Sequence, residues 1–518
     1  MSIKYDAQKI IKSFGLVFGD IGTSPIYTVT VIFLLLKPTV ENIIGVMSLI
    51  FWTLTLLVTV EYIWLAMSLA KKGEGGTIVL KEVLTPLLKR GRKTAFVALL
   101  AYLGVSLLFG DGVITPAISI LSAVEGVRLI PSFSDVHQVI LMFVAAAIAV
   151  FLFTIQKKGT EKVAGYFGPI ILVWLLVLAV SGLVSILQFP EVLKAINPYY
   201  AVNFMLTHGF AGFFVLSQVI LCATGSEALF ADMGHLGRLP IIRAWCIAFV
   251  ALTLSYLGQG AFLALHPETK NILFGMVNAQ AQILYAPFLL LSILATIIAS
   301  QAMISGMFSI VYQGITTRIM PMFRVNYTST ELKTQIYIGA INRFLLVFVL
   351  FAIFVFKESA NLASVYGLAT ICTMTITSIM IMWILYIRRS FIKLGIAIFV
   401  FLVIVIFFLS SLLKIPHGGY WSLIIASIPF LTILIYTQGQ KKLYKALKPI
   451  NGEDFLRQYK AAYEQAYRIR GSALFFLKDP SVIPPYIVNT MFCNNIIYVD
   501  NIFVSINIKD EPFGVSGR

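Results

Sequence analysis

The chain has 518 residues, of which 59% are hydrophobic and 12% charged, with a formal net charge of +16; soluble domains carry roughly 25% charged residues. That balance excludes a soluble enzyme built around one core and describes a polytopic membrane protein. The positive charge lies in loops between apolar runs and lacks any aromatic platform or binding motif, so it points to anionic lipid headgroups rather than to a nucleic acid polymer.

The opening residues, Met1 to Lys12, are polar and lack a signal peptide's apolar core and cleavage site, so the first span is expected to be retained. Twelve apolar runs follow, at 14–36, 43–69, 95–124, 138–155, 165–187, 209–231, 240–265, 281–312, 338–356, 360–386, 392–413 and 419–437. Spanning a bilayer takes roughly 20 mostly apolar residues. One set of loops is rich in Lys and Arg, from Lys4, Lys9 and Lys12 to Arg388, Arg389 and Lys393. The alternate set carries one basic residue each time: Lys37, Arg128, Lys194, Lys270, Lys357 and Lys414. By the positive-inside rule both termini are cytoplasmic. Cys222, Cys246, Cys372 and Cys493 are scattered with no paired spacing, and read as packing residues rather than a disulfide framework or zinc site.

The first run contains Gly19-Asp20-Ile21-Gly22-Thr23-Ser24-Pro25-Ile26-Tyr27. Two glycines and a proline weaken the helix there, and freed carbonyls must find partners in protein, water or a cation because lipid offers none. Asp20 stands at that break, although an ionisable residue near mid-membrane costs about 2.5–3.5 kcal/mol. One reading is that carbonyls and carboxylate together hold a small monovalent cation; the other is a plain kink with a capping aspartate. Residues 71–93 read as a glycine turn leading into a short interfacial helix, since the glycines lack phosphate-loop spacing.

The third run holds Gly110-Asp111-Gly112-Val113-Ile114-Thr115-Pro116-Ala117-Ile118-Ser119, followed by Glu125-Gly126. At 3.6 residues per turn Asp111, Thr115 and Ser119 fall along one face, a column of oxygen ligands suited to a hard cation. The hydroxyls have the alternative of bonding back to their own helix, and Glu125 that of facing exterior water. Tyr166-Phe167-Gly168-Pro169 reads as a broken entry to the fifth run. The sixth run brings Thr224-Gly225-Ser226-Glu227 and continues to Asp232, His235 and Arg238. Counting five spans per half, the first and sixth correspond, and interrupted helices at corresponding positions point to an inverted-repeat transporter. Asp232, His235 and Arg238 read as a cap or gate salt bridge. Glu227 is deeper, where a carboxyl group that exchanges a proton would serve a proton-coupled carrier. His137, His208, His266 and His417 form no spaced metal cluster. The eighth run has small residues around Ala299, Ser300 and Gly306 that favour close packing, and Tyr366 of the tenth offers a hydroxyl toward the broken helices.

After about residue 437 the pattern changes. Residues 441–470 read as a basic, Tyr-rich helical stretch and 495–509 alternate like strands, so residues 1–437 form a transmembrane domain and 438–518 a small cytosolic α/β domain. About eighty residues bury a marginal core, and packing against a second subunit is the expectation.

Together the motifs GDIGTSPIY, GDGVITPAIS with SAVEG, TGSEALFADMGHLG and ASQAMISGMFS resemble the signatures of the KUP (HAK/KT) family of potassium uptake transporters. The departures from the family pattern are Ile26 for leucine, Phe230 for tyrosine and Leu236 for phenylalanine. The resemblance implies an all-α polytopic fold of the amino acid/polyamine/organocation (LeuT-like) type, with a five-plus-five inverted repeat, interrupted helices 1 and 6, two further spans and the cytosolic domain. It also implies potassium uptake across the plasma membrane, coupled to protons, without a cofactor, by a homodimer joined through that domain. Carried over residue by residue, Asp20, Tyr27, Asp111, Thr115, Ser119, Thr224 and Tyr366 line the potassium path, with the ion at Asp20, Asp111, Thr115 and Ser119, and Glu227 is the proton-coupling carboxylate. The resemblance also implies, as in relatives from Gram-positive bacteria, a regulatory nucleotide such as cyclic di-AMP as a partner of the C-terminal domain, although the tail is shorter than the family's usual one.

Two rivals differ in chemistry. An amino-acid or organic-cation carrier of the same superfamily aims half-helix N-termini at a substrate carboxylate, which Asp20 and Asp111 would repel. An intramembrane aspartyl protease needs a glycine where Leu108 stands and lacks its second motif. The potassium-channel filter sequence is also missing.

Overall fold

The computed structural model describes residues 2–70, 74–88, 91–158, 161–233, 237–327, 336–446, 450–465, 467–477 and 481–505. Among them, eleven helices are long and apolar enough to cross a membrane, and the pair Gln8–Leu16 and Gly19–Phe33, bent by 69°, makes a twelfth when taken as one span. This pair is the first span, and the rest follow in order: Val40–Leu69, Arg92–Leu129, Gln138–Ile155, Tyr166–Gln188, Pro198–Ala231, Arg238–Leu265, Gln282–Thr316, Gly339–Phe356, Ser359–Ile387, Phe391–Leu412 and Ile415–Leu443. The chain is a multi-pass membrane protein. It divides into two compact units, residues 1–432 and 433–518.

Burial separates central spans from lipid-facing ones. The most apolar window of the third span is 78% buried and that of the tenth 72%, whereas the eleventh reaches only 22%. The fourth and fifth spans expose Phe143, Phe151, Leu176 and Leu187, as side chains facing hydrocarbon do. Small residues set the spacing at the centre. A Cβ on Gly19 would stand 2.8 Å from Ala299 Cα, so the first and eighth spans touch backbone to backbone.

Three local expectations need correcting. The fifth span is helical straight through Pro169, which lies inside the helix Glu161–Gln188, so the proline costs a hydrogen bond without ending the helix. The helix Thr77–Leu84 does not lie at the interface, because six of its eight residues are buried and Thr77 meets the third span at Gly104. In the first span the bend comes before Gly19, after which Gly19–Thr23 is α-helical and Ser24–Ile26 a tighter turn with Pro25 in it.

The second span carries a wide turn that hydropathy does not reveal. From Leu54 to Leu65 it is wound as a π-helix, a form that often marks functional sites. Buried Glu61 and Tyr62 lie on that segment.

In the second unit the helix Gly452–Gln465 lies in sequence between short strands. Ile450–Asn451 pairs antiparallel with Val482–Ile483, and Ile469–Leu477 pairs parallel with Tyr498–Ser505. Their core is Phe455, Phe475, Leu477, Ile483, Ile487, Met491 and Ile497. The strand Ile469–Leu477 is absent from the sequence-based expectation, which ran the helix to residue 470. Residues 506–509 of the expected strand pattern lie outside the described residues.

Candidate functional site

The sixth and tenth spans are interrupted by the same two-residue device. In the sixth, Thr224 is extended (φ −60°, ψ 149°) and Gly225 left-handed (φ 87°). In the tenth, Tyr366 is extended (φ −72°, ψ 153°) and Gly367 left-handed (φ 94°). A left-handed residue at negligible steric cost requires glycine, and the extended residue before it ends the helical hydrogen bonding. The interruption of the sixth span follows from its Thr-Gly pair; the matching Tyr-Gly pair of the tenth carried the same signal.

Asp20 lies against the break in the sixth span. A Cβ on Gly225 would stand 2.6 Å from Asp20 Oδ2, so only glycine admits the carboxylate there. Asp20 is buried, and neither of its oxygens has a hydrogen-bond partner. Around the same break Ser24 Oγ lies 3.2 Å from Thr224 Oγ1 and 3.4 Å from Tyr27 OH. The Tyr27 and Tyr366 rings meet edge to face, 6.5 Å apart, and Tyr366 OH lies 2.5 Å from Thr115 Oγ1. Asp111 accepts from Thr370 Oγ1 at 2.6 Å and keeps Oδ2 bare. Ser119 Oγ is buried and bare too. Asp20, Tyr27, Thr115, Thr224 and Tyr366 are thus linked by contacts, Asp111 joins through the tenth span, and Ser119 continues the face one turn beyond Thr115.

Several carbonyls at the breaks already hold donors of the protein. Trp174 Nε1 donates to Gly22 O at 2.8 Å, Thr23 Oγ1 to Asp20 O at 3.0 Å and Thr28 Oγ1 to Ser24 O at 2.7 Å. In the sixth span Thr224 Oγ1 donates to Leu221 O and Ser226 Oγ to Ala223 O. Among the side-chain oxygens at the breaks, both of Asp20 are bare.

Glu227 belongs to a second cluster. Tyr62 OH and Thr377 Oγ1 both donate to its Oε1, at 2.7 and 2.5 Å. Beside them Ser378 Oγ donates to Glu61 Oε1 at 2.6 Å, while Glu61 Oε2 is bare. Thr370 and Thr377 sit seven residues apart on one helix, so the Asp111 and Glu227 contacts are about 10 Å apart along the tenth span. Sequence reasoning missed Glu61; an acid in the middle of an otherwise apolar run was the available signal.

Lys414 was also missed. It lies, as topology has it, in the connection between the eleventh and twelfth spans, but it is buried there, with Nζ donating to Tyr366 O at 2.8 Å, Gln218 Oε1 at 2.9 Å and Ala363 O at 3.5 Å. Glu125 does not simply face water. It accepts from Gln138 Nε2 at 2.9 Å, Ser359 N at 3.0 Å and Ser359 Oγ, and so joins the end of the third span to the start of the tenth. Above Tyr27 opens a cavity of about 1040 Å³ whose walls include Glu125, Arg128, His137, Lys270 and Ser359. Asp232 is packed against Gly306, and His235 lies outside the described residues.

Sequence comparison agrees with this architecture. At 62% identity over 99% of this chain and 85% of the relative, it is similar to a probable potassium transport system protein Kup of Methanosarcina acetivorans. A protein of the same description from Geotalea uraniireducens is 60% identical over 99% and 84%. Among solved structures, a manganese transporter of Eremococcus coleocola matches with a TM-score of 0.42 and 12% identity over 84% of this chain and 94% of that one, a likeness that carries no functional information. Residues 7–441 match the family model of the K+ potassium transporter integral membrane domain, and residues 470–518 that of the K+ potassium transporter C-terminal domain. The chain belongs to the K+ potassium transporter family.

Proposed function

We propose that the chain takes up potassium across the cell membrane by alternating access, coupled to a co-transported proton. The observation that carries this reading is Asp20: a buried carboxylate with two bare oxygens, held against an interrupted helix by a glycine. An ionised carboxylate out of water without a partner is disfavoured by several kcal/mol, and a dehydrated monovalent cation is the partner that removes the penalty. The names of the relatives, potassium transport system proteins, support potassium as that cation.

In this reading both termini are cytoplasmic, which the basic loops favour by the positive-inside rule, and the cavity above Tyr27 is the exterior vestibule. Potassium descends past Tyr27 to Asp20, where the hydroxyls of Thr115, Ser119, Thr224 and Tyr366 and the bare oxygen of Asp111 replace its water. Rocking of one half of a five-plus-five inverted repeat against the other then exposes it inward. Glu227, at the start of the sixth span's second half-helix, holds the proton in closure and gives it up inside. An interior-negative potential contributes about 2.3 kcal/mol per charge per 100 mV, and the proton doubles that drive. The C-terminal domain joins two copies into a homodimer.

The test is potassium uptake by proteoliposomes with voltage and pH gradient set independently and internal pH recorded. Uptake with internal acidification is expected. Potassium flux driven by voltage alone, with no proton movement, would keep the ion site and remove the symport and the role of Glu227; no potassium movement would remove the reading.

A further inference from the structure

Lys414 is the sole fully buried Lys, Arg or His among the described residues, which also bury Asp20, Glu61, Asp111 and Glu227. A buried lysine ordinarily pairs with such an acid. Lys414 does not: its three acceptors, Tyr366 O, Ala363 O and Gln218 Oε1, are all neutral. An ammonium has three donors, and here each has one oxygen.

The place of those oxygens explains the choice. Ala363 O lies in the last turn of the helix Ser359–Val365 and Tyr366 O on the extended residue that follows it, where the tenth span breaks. Carbonyls left open at a helix end carry partial negative charge and favour a cation. The third oxygen comes from Gln218 of the sixth span, six residues before Thr224. Neutral oxygens of two spans converging on one positive charge are the ligand chemistry by which proteins strip water from a monovalent metal ion. A lysine ammonium, similar in size and charge to potassium, fills that position and is covalently tethered there.

We infer that Lys414 is a resident cation occupying a carbonyl-lined monovalent cation site at the break of the tenth span, so that the mobile ion is confined to the Asp20 side. The lysine fixes the Tyr366 carbonyl from one side while the Tyr366 hydroxyl reaches Thr115 on the other. Tyr366 is thereby held between the tethered lysine and the transported ion, and the lysine sets how many ions each chain holds. The inference deepens the proposed potassium site and rests on it for the count of mobile ions, but not for the presence of the oxygen site.

Equilibrium binding of radioactive rubidium to the purified full chain tests it, in wild type, Lys414→Ala and Lys414→Gln. Wild type is expected to bind one equivalent. Lys414→Ala is expected to bind a second, which millimolar methylammonium displaces without displacing the first. Thermal unfolding supplies a reading independent of the count: methylammonium is expected to raise the midpoint of Lys414→Ala and leave wild type unmoved. Lys414→Gln keeps a donor without the charge, fills part of the space, and is expected to show a weaker second site, which guards against an alanine variant that fails to fold. If both variants bind a single equivalent and neither is stabilised by methylammonium, or if neither folds even with the amine present, the inference is overturned. If wild type binds no rubidium while the amine still stabilises Lys414→Ala selectively, the proposed potassium site fails and the resident cation stands.

Discussion

Asp20 and Gly225, 205 positions apart in the sequence, are in contact: a methyl group in place of the glycine's hydrogen would lie 2.6 Å from Asp20 Oδ2. Gly225 also has φ 87°, a conformation costly for any residue with a Cβ. Gly225→Ala therefore suffers twice, with strain on the order of 1–3 kcal/mol and a carboxylate displaced from its place. The expected outcome is a lower unfolding midpoint and at least a tenfold loss of rubidium affinity. Wild-type binding in this variant would mean that Asp20 need not rest against the sixth span.

Asp20→Asn separates stability from binding. Asp20 has no hydrogen bond to lose, and a neutral amide relieves a buried charge that is disfavoured by several kcal/mol when unpaired. In potassium-free buffer the variant is expected to unfold no earlier than wild type. Wild type should gain stability as potassium is added, by linkage to binding, whereas Asp20→Asn should not. Asp111→Asn should act more mildly, since one of its oxygens already holds Thr370. Unfolding curves across a potassium series decide both points.

Much of this site was legible in the chain because breaks in apolar runs are conspicuous. Gly19 to Pro25, Asp111 between two glycines and Thr224-Gly225 each put polar or helix-weakening residues where lipid tolerates neither. Periodicity alone placed Asp111, Thr115 and Ser119 on one face. What stayed hidden depends on distant partners. Lys414 reads as one more loop lysine until the fold brings Tyr366 O and Gln218 to it. Glu61, an acid inside an apolar run, is visible in the sequence, but the wide π turn that carries it and its partner Ser378 are not. The buried helix Thr77–Leu84 looks interfacial because basic residues surround it in the sequence, whereas Lys81, inside it, pairs with Glu82 at 2.7 Å. In the tail, Ile469–Leu477 is a strand by virtue of pairing with Tyr498–Ser505, a partner no local pattern supplies.

Glu227→Gln is expected to dissociate the ion site from coupling. The amide oxygen can still accept from Tyr62 and Thr377, so packing should survive, but the side chain no longer takes up and releases a proton. Rubidium should still bind and exchange across the membrane, while a pH gradient should no longer drive accumulation. Glu61→Gln provides the comparison, since Ser378 can still donate to it. If Glu61→Gln abolishes accumulation and Glu227→Gln does not, the coupling carboxylate is on the second span. Paired uptake and exchange measurements distinguish these outcomes.

The helix Ser359–Val365 has seven residues, too few to be stable alone, and both its ends are bound by side chains from outside it. At the first end Glu125 accepts from the Ser359 backbone N–H and hydroxyl; at the last, Lys414 donates to Ala363 O and Tyr366 O. Loss of a cap costs about 0.5–2 kcal/mol. Glu125→Ala should therefore loosen this half-helix at the vestibule while leaving Asp20 and Gly225 in contact. The expected result is faster amide exchange at residues 359–366, unchanged exchange around residues 19–24, and weaker apparent affinity for external potassium with the maximal rate retained. Glu125→Gln, which still accepts from Ser359, should lie nearer wild type. Equal loss of protection in both regions would show that Glu125 supports the whole bundle rather than the tenth span, and hydrogen exchange on the purified variants tells the two apart.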